Sequence, residues 1–174
     1  RVVVPADGVS EDRAAAPTLG EFTQQLRAIA GARRYPGSPL LAAALLRDVD
    51  RGCAVDLLAQ EAPQLERALS SVASAQARSV HVATGDGYAQ LSALLPPKER
   101  RALVLIDPPF ESGDEFAQIT QALAAALRRF DSGVYAVWYP IKRQRDIDLW
   151  HARIAASLDR PTLAAELWLH PRDS

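Results

Sequence analysis

Cysteine is almost missing from this chain, with Cys53 alone among 174 residues. That excludes a disulfide framework within the chain and a cysteine-built metal cluster, and it suits a reducing, cytoplasmic setting. Long apolar runs are missing too. None approaches the roughly 20 residues needed to cross a bilayer, so a membrane partner is not expected. Arg1-Val2-Val3-Val4 runs at once into Pro5 and polar residues, which is not a signal-peptide pattern. The first residue is not Met, so a fragment or processed chain is expected. Neither sign of charge is in excess: 20 basic against 21 acidic side chains leave a net charge of −1. A dedicated nucleic-acid binder is often more basic, so any such contact requires a local basic face. His81, His151 and His170 are scattered without metal-ligand spacing, and no metal is expected. Neither GxGxxG nor a P-loop occurs, which argues against a nucleotide hydrolase.

What is present is the balance of a folded domain: 48% hydrophobic and 24% charged residues. Residues 5–17 show no clear period and read as a loop or surface segment. Thr18 and Glu21 have capping-box spacing, and Phe22, Leu26 and Ile29 then follow at helical intervals up to Gly31. Ser38 is expected to cap a second helix, with Pro39 at its first position and Leu40, Leu41, Ala44 and Leu45 on its apolar face.

From there strands and helices alternate. The pattern predicts strands over Cys53–Ala59, Ser79–Ala83, Ala102–Ile106, Gly133–Tyr139 and Thr162–His170. Helices are predicted over Pro63–Val72, Tyr88–Leu95, Asp114–Phe130 and Arg143–Leu158. Short apolar strands in this alternation predict an α/β fold, a mostly parallel sheet with helices on both faces. Ligands of such sheets sit beyond the carboxyl ends of the strands. Three strand ends therefore matter: Gln60-Glu61, Gly85-Asp86-Gly87 and Asp107-Pro108-Pro109-Phe110.

The last of these carries the most chemistry. An apolar strand delivers the Asp107 carboxylate to the sheet edge. Two prolines then fix the backbone, and the first holds Asp107 extended. An exocyclic amine on a planar base is a poor nucleophile, because its lone pair is delocalised into the ring. Asp107 and the Pro108 carbonyl can each accept one of its N–H groups, turning the lone pair toward an incoming methyl group. Phe110 is expected to stack on the base. The plain alternative is a carboxylate that closes a turn and prolines that end a strand.

Asp-Pro-Pro-Phe is a signature form of amino-methyltransferases acting on adenine N6 or cytosine N4. More narrowly, the chain resembles the RlmJ family of bacterial 23S ribosomal RNA adenine-N6 methyltransferases. The resemblance runs from Tyr35 onward. It rests on Tyr35-Pro36-Gly37-Ser38-Pro39-Leu40, Asp86-Gly87-Tyr88, Leu94 to Arg101, Leu105 to Glu111 and Tyr135-Ala136-Val137-Trp138-Tyr139-Pro140, in that order. It implies a Rossmann-like class I methyltransferase domain over residues 35–174, with residues 1–34 as the end of a helical insertion. It implies S-adenosylmethionine as cofactor, 23S ribosomal RNA as partner, and a monomer.

The resemblance also assigns positions. Ser38 contacts the cofactor, Asp86 accepts from its adenine amine, and the Gly87 backbone reads the adenine edge. Asp107 holds the target amine, assisted by Pro108 and Phe110. The chain departs from the family pattern in three places. No Gly-rich cofactor loop precedes Tyr35, so the first strand and its loop are expected to be absent from the chain. Gln60 stands where an acid is expected to hold the ribose hydroxyls, with Glu61 beside it. The chain also ends at Ser174, short of a further hairpin.

Among the remaining residues, Cys53 and Trp138 are expected in the core, and Tyr139 at the substrate pocket. Arg33, Arg34, Lys98, Arg100, Arg101, Lys142, Arg143 and Arg145 are candidates for an RNA-phosphate surface or plain solvated charges. DNA adenine methylation, or a non-catalytic RNA-binding role, are the competing readings.

Overall fold

The computed structural model describes residues 36–71 and 79–167, together with Gly20, Gln24, Arg27 and Ala28. Those four are helical and exposed. The rest of the predicted first helix, with its Thr18 capping box and Gly31 stop, lies outside the described residues, as do Tyr35, Val72 and the stretch from Trp168 onward. The chain divides into two compact units at the Leu95–Pro96 bond.

The first unit runs α1 (Ser38–Leu45), β1 (Gly52–Asp56), α2 (Ala62–Ser71), β2 (Val80–Thr84) and α3 (Gly87–Leu94). β1 and β2 pair in parallel from Gly52↔Val80 to Asp56↔Thr84, with α2 as the crossover between them. The core is small. Ala43 of α1 and Leu69 of α2 are buried, and Leu40, Leu65, Val80 and Val82 pack on them. Leu65 and Leu69 sit one helical turn apart, and Val80 and Val82 alternate along the strand, so each element turns one face to this core.

The second unit runs β3 (Leu103–Ile106), α4 (Glu115–Arg129), β4 (Val134–Val137) and α5 (Gln144–Ser157). β3 and β4 are parallel from Leu103↔Val134 to Ile106↔Val137. α4 buries Glu115, Ile119, Leu123 and Ala126 at intervals of four, four and three. It carries an acid in its first turn and Arg128 and Arg129 in its last, matching the helix dipole. α5 answers with Ile147, Trp150 and Ile154. Between the two helices, the Trp150 indole N–H donates to Thr120 Oγ1 at 3.1 Å. The turn from α4 to β4 needs its glycine, because a Cβ on Gly133 would lie 2.8 Å from the Phe130 ring. The Tyr135 hydroxyl closes the same turn by donating to the Phe130 carbonyl at 2.8 Å.

Three expectations change. Gly37, not Ser38, is the cap residue of α1 and makes no side-chain cap bond. Its carbonyl accepts from the N–H groups of Leu40 and Leu41, so Ser38 is already the first helical residue. Strand β1 stops at Asp56, three residues early, because Asp56 Oδ1 accepts from the Leu58 N–H at 2.9 Å and bends the chain. No strand forms over Thr162–Leu167, whose Leu163 and Leu167 are exposed. A strand persists only where its backbone groups find a neighbour, and among the described residues this segment has none. The expected last strand is thus overturned as far as Leu167.

Candidate active site

Asp107 leaves β3 one step beyond the Ile106↔Val137 pair. Trp138 leaves β4 at the same level, and its N–H donates to the Ile106 carbonyl at 3.0 Å. Asp107 is exposed, and among the described residues no hydrogen bond or ion pair within the protein engages its carboxylate. Its acceptor capacity therefore faces outward. Pro108 is half-buried and Pro109 exposed. Neither supplies an N–H that could fold the loop back on the carboxylate.

Phe110 is turned inward. Its backbone has φ +53°, a left-handed conformation uncommon for a bulky residue. That turn sends the ring inward, where only 7% of the residue stays exposed. It meets Phe116 at 5.1 Å between centroids and Trp138 edge-on at 6.1 Å. A base can therefore reach only a small part of this ring. Its evident work is to brace the loop from below. Trp138, expected in the core, is 54% exposed instead.

The aromatic packing continues from Phe116 to Trp150 at 4.9 Å and from Trp150 to Tyr139 at 5.0 Å. The Tyr139 hydroxyl lies 2.9 Å from His151 Nε2. Burial pushes the Tyr139 phenol up, and the negative charge of Glu166 and a hydrogen bond to it push the same way. Tyr139 ties the end of β4 to α5, and Glu166 is a partner that no sequence signal marks.

In the first unit, the Gly85 N–H donates to the Asp56 carbonyl at 2.8 Å, which brings the ends of β1 and β2 together. Gly85 has φ +143° and must be glycine. Asp86 caps α3, with Oδ1 accepting from the Tyr88 N–H at 2.9 Å. A carboxylate so engaged can still accept a further donor. Gly87 begins α3, and a Cβ added there would meet nothing within 4 Å. The fold does not demand that glycine, which suits a ligand lying close to the backbone. Ser38 stands at the start of α1, its hydroxyl not used as a cap. Gln60 and Glu61 lie in the turn before α2, with Gln60 exposed, well past the strand end. The acid that does stand at that end is Asp56. Sequence reasoning passed over it as the middle of a longer strand.

Lys98, Arg100, Arg101, Lys142, Arg143 and Arg145 all belong to the second unit. Lys142 does not simply point to solvent: its Nζ donates to the Phe110 carbonyl at 2.8 Å. Among the described residues no group of three or more His, Cys, Asp or Glu could hold a metal ion. None of their helices is long and apolar enough to cross a membrane.

A family model described as ribosomal RNA large subunit methyltransferase D, RlmJ, matches residues 14–174. The chain belongs to this family. It is 38% identical over 139 residues to ribosomal RNA large subunit methyltransferase J of Haemophilus influenzae. It is 36% identical over the same length to the protein of that name from Escherichia coli. Each match takes in 80% of the chain and 48% of the relative, so the chain spans about half the length of these relatives. A crystal structure of protein LPL1258 from Legionella pneumophila superposes with a TM-score of 0.67 at 30% identity, covering 79% of this chain and 51% of that one. Family and structural likeness agree with the parallel strands and crossover helices above on a Rossmann-like class I fold.

Proposed function

We propose that this chain carries the methyl-transfer site of a ribosomal RNA adenine-N6 methyltransferase that uses S-adenosylmethionine and acts on 23S RNA. The observation that carries the reading is Asp107: an exposed carboxylate at the end of a parallel strand, with no partner among the described residues, followed by two donor-less prolines.

S-adenosylmethionine, when bound, would supply an electrophilic methyl group, its sulfonium–methyl bond breaking with the electron pair left on sulfur to give S-adenosylhomocysteine. In the first unit Asp56 and Asp86 are the acceptors suited to its ribose hydroxyls and adenine amine. Gly87 offers open backbone, and Ser38 a hydroxyl at a helix start; Gln60 is the poorer ribose candidate. In the second unit, Asp107 and the Pro108 carbonyl each accept one N–H of the target amine. That holds the amine lone pair off the ring plane and stabilises the positive charge growing on nitrogen as the new N–C bond forms. The nitrogen then loses one proton to solvent. A paired adenine has to be flipped out first. The reading further takes the working protein as a cytoplasmic monomer.

Replacing Asp107 tests it. Asp107→Ala should abolish transfer to deproteinised 23S RNA while leaving the circular dichroism spectrum and urea midpoint unchanged. Wild-type activity in that variant would sink the assignment. A competition between 23S RNA and adenine-containing duplex DNA separates the RNA reading from a DNA one.

A further inference from the structure

We infer that Lys142 is a positioning residue for the Asp107–Phe110 loop, acting through the Phe110 carbonyl. The inference rests on the methyl-transfer reading above.

Three observations converge on it. The loop has few handles of its own, since Pro108 and Pro109 have no N–H to anchor it. Phe110 adopts φ +53°, which a bulky residue keeps only when its surroundings hold it there. The surroundings hold it twice. The ring is fixed by Phe116 and Trp138, and the carbonyl by the Lys142 ammonium at 2.8 Å, reached across 32 residues from the segment between β4 and α5. The second bond is charge-assisted and stronger than a neutral one.

The consequence runs backward along the chain. With φ fixed at both prolines, few torsions separate the Phe110 carbonyl from the Pro108 carbonyl, the group assigned above to the target amine. An anchor on the first therefore limits the second. A Lys142 that acts through the Phe110 carbonyl exerts its effect on the rate of transfer and not on binding. A phosphate-contacting lysine would show the reverse.

The test compares wild type, Lys142→Ala and Lys142→Arg in the full chain. Lys142→Ala should lower kcat for 23S RNA methylation by about tenfold to a hundredfold. KM for RNA and the Kd for S-adenosylhomocysteine should stay unchanged, and Lys142→Arg should recover most of the rate. A second readout does not need turnover. Phe110–Glu111 is the only Phe-Glu step in the sequence. Joint labelling of phenylalanine carbonyl carbons and glutamate amide nitrogens therefore gives a single correlation peak for the Phe110 carbonyl. That peak should move in Lys142→Ala and stay near its place in Lys142→Arg. An unchanged kcat, a rise in KM alone, or an unmoved carbonyl peak each overturns the inference. A wild type that methylates no adenine substrate overturns the proposed function instead, and the carbonyl peak then decides the Lys142 contact alone.

Discussion

Gly85 and Gly87 stand two residues apart in one turn, yet they are glycine for opposite reasons. At Gly85 the backbone is left-handed, and a Cβ would lie 2.5 Å from the Gln90 amide nitrogen, which already donates to the Thr84 carbonyl. Gly85→Ala should therefore cost about 1–3 kcal/mol of stability, read from urea unfolding. At Gly87 the space is open and the residue helical, so Gly87→Ala should change stability by no more than about 0.5 kcal/mol. It should nevertheless weaken S-adenosylhomocysteine binding in calorimetry, because the new methyl group fills the space proposed for the ligand. Binding as tight as wild type would remove Gly87 from the cofactor site. At this scale the sequence marked where Asp107 and Asp86 stand, just beyond the segments that form β3 and β2. Asp56 was not so marked, because its side chain, bending the chain at Leu58, sets a strand end that hydrophobicity alone cannot mark.

At the scale of elements, α5 is held to the end of β4 through Tyr139, whose hydroxyl contacts His151 on the helix and Glu166 beyond it. The phenol's proton is held more tightly in the folded protein than in the unfolded chain. The folded state therefore retains a proton that the unfolded state loses as pH climbs past the ordinary tyrosine range near about 10. The stabilisation is complete below that range and is lost as pH rises through the elevated value. Tyr135 is shifted the same way, first by burial and then by Asp131. Urea midpoints should fall above pH 10, and Tyr139→Phe should flatten part of that fall; a parallel decline in the variant would show that Tyr139 does not contribute. Alternation and apolar spacing made the strands and helices readable to within a few residues. They could not foresee that Thr162–Leu167 would lack a strand partner, since pairing depends on neighbours far along the chain. The inward turn of Phe110 and the reach of Lys142 were hidden for the same reason.

The whole molecule has nearly balanced charge, at −1. Non-specific attraction to nucleic acid should be correspondingly weak. Filter binding of an unrelated RNA at physiological salt should show no saturation below about 10 μM, within the weak part of the usual non-specific range. Tight, steeply salt-dependent binding would instead reveal a concentrated basic face. One further consequence is spectroscopic. The indoles of Trp138 and Trp150 sit in contrasting surroundings, one 54% exposed beside Asp107 and the other 6% exposed between α4 and α5. Their emission should separate into a red, quencher-accessible component and a blue, protected one. With Trp168 replaced by phenylalanine, the red component reports on Trp138 beside the Asp107–Phe110 loop, so a fluorophore of the chain itself would time the arrival of a base at the proposed site.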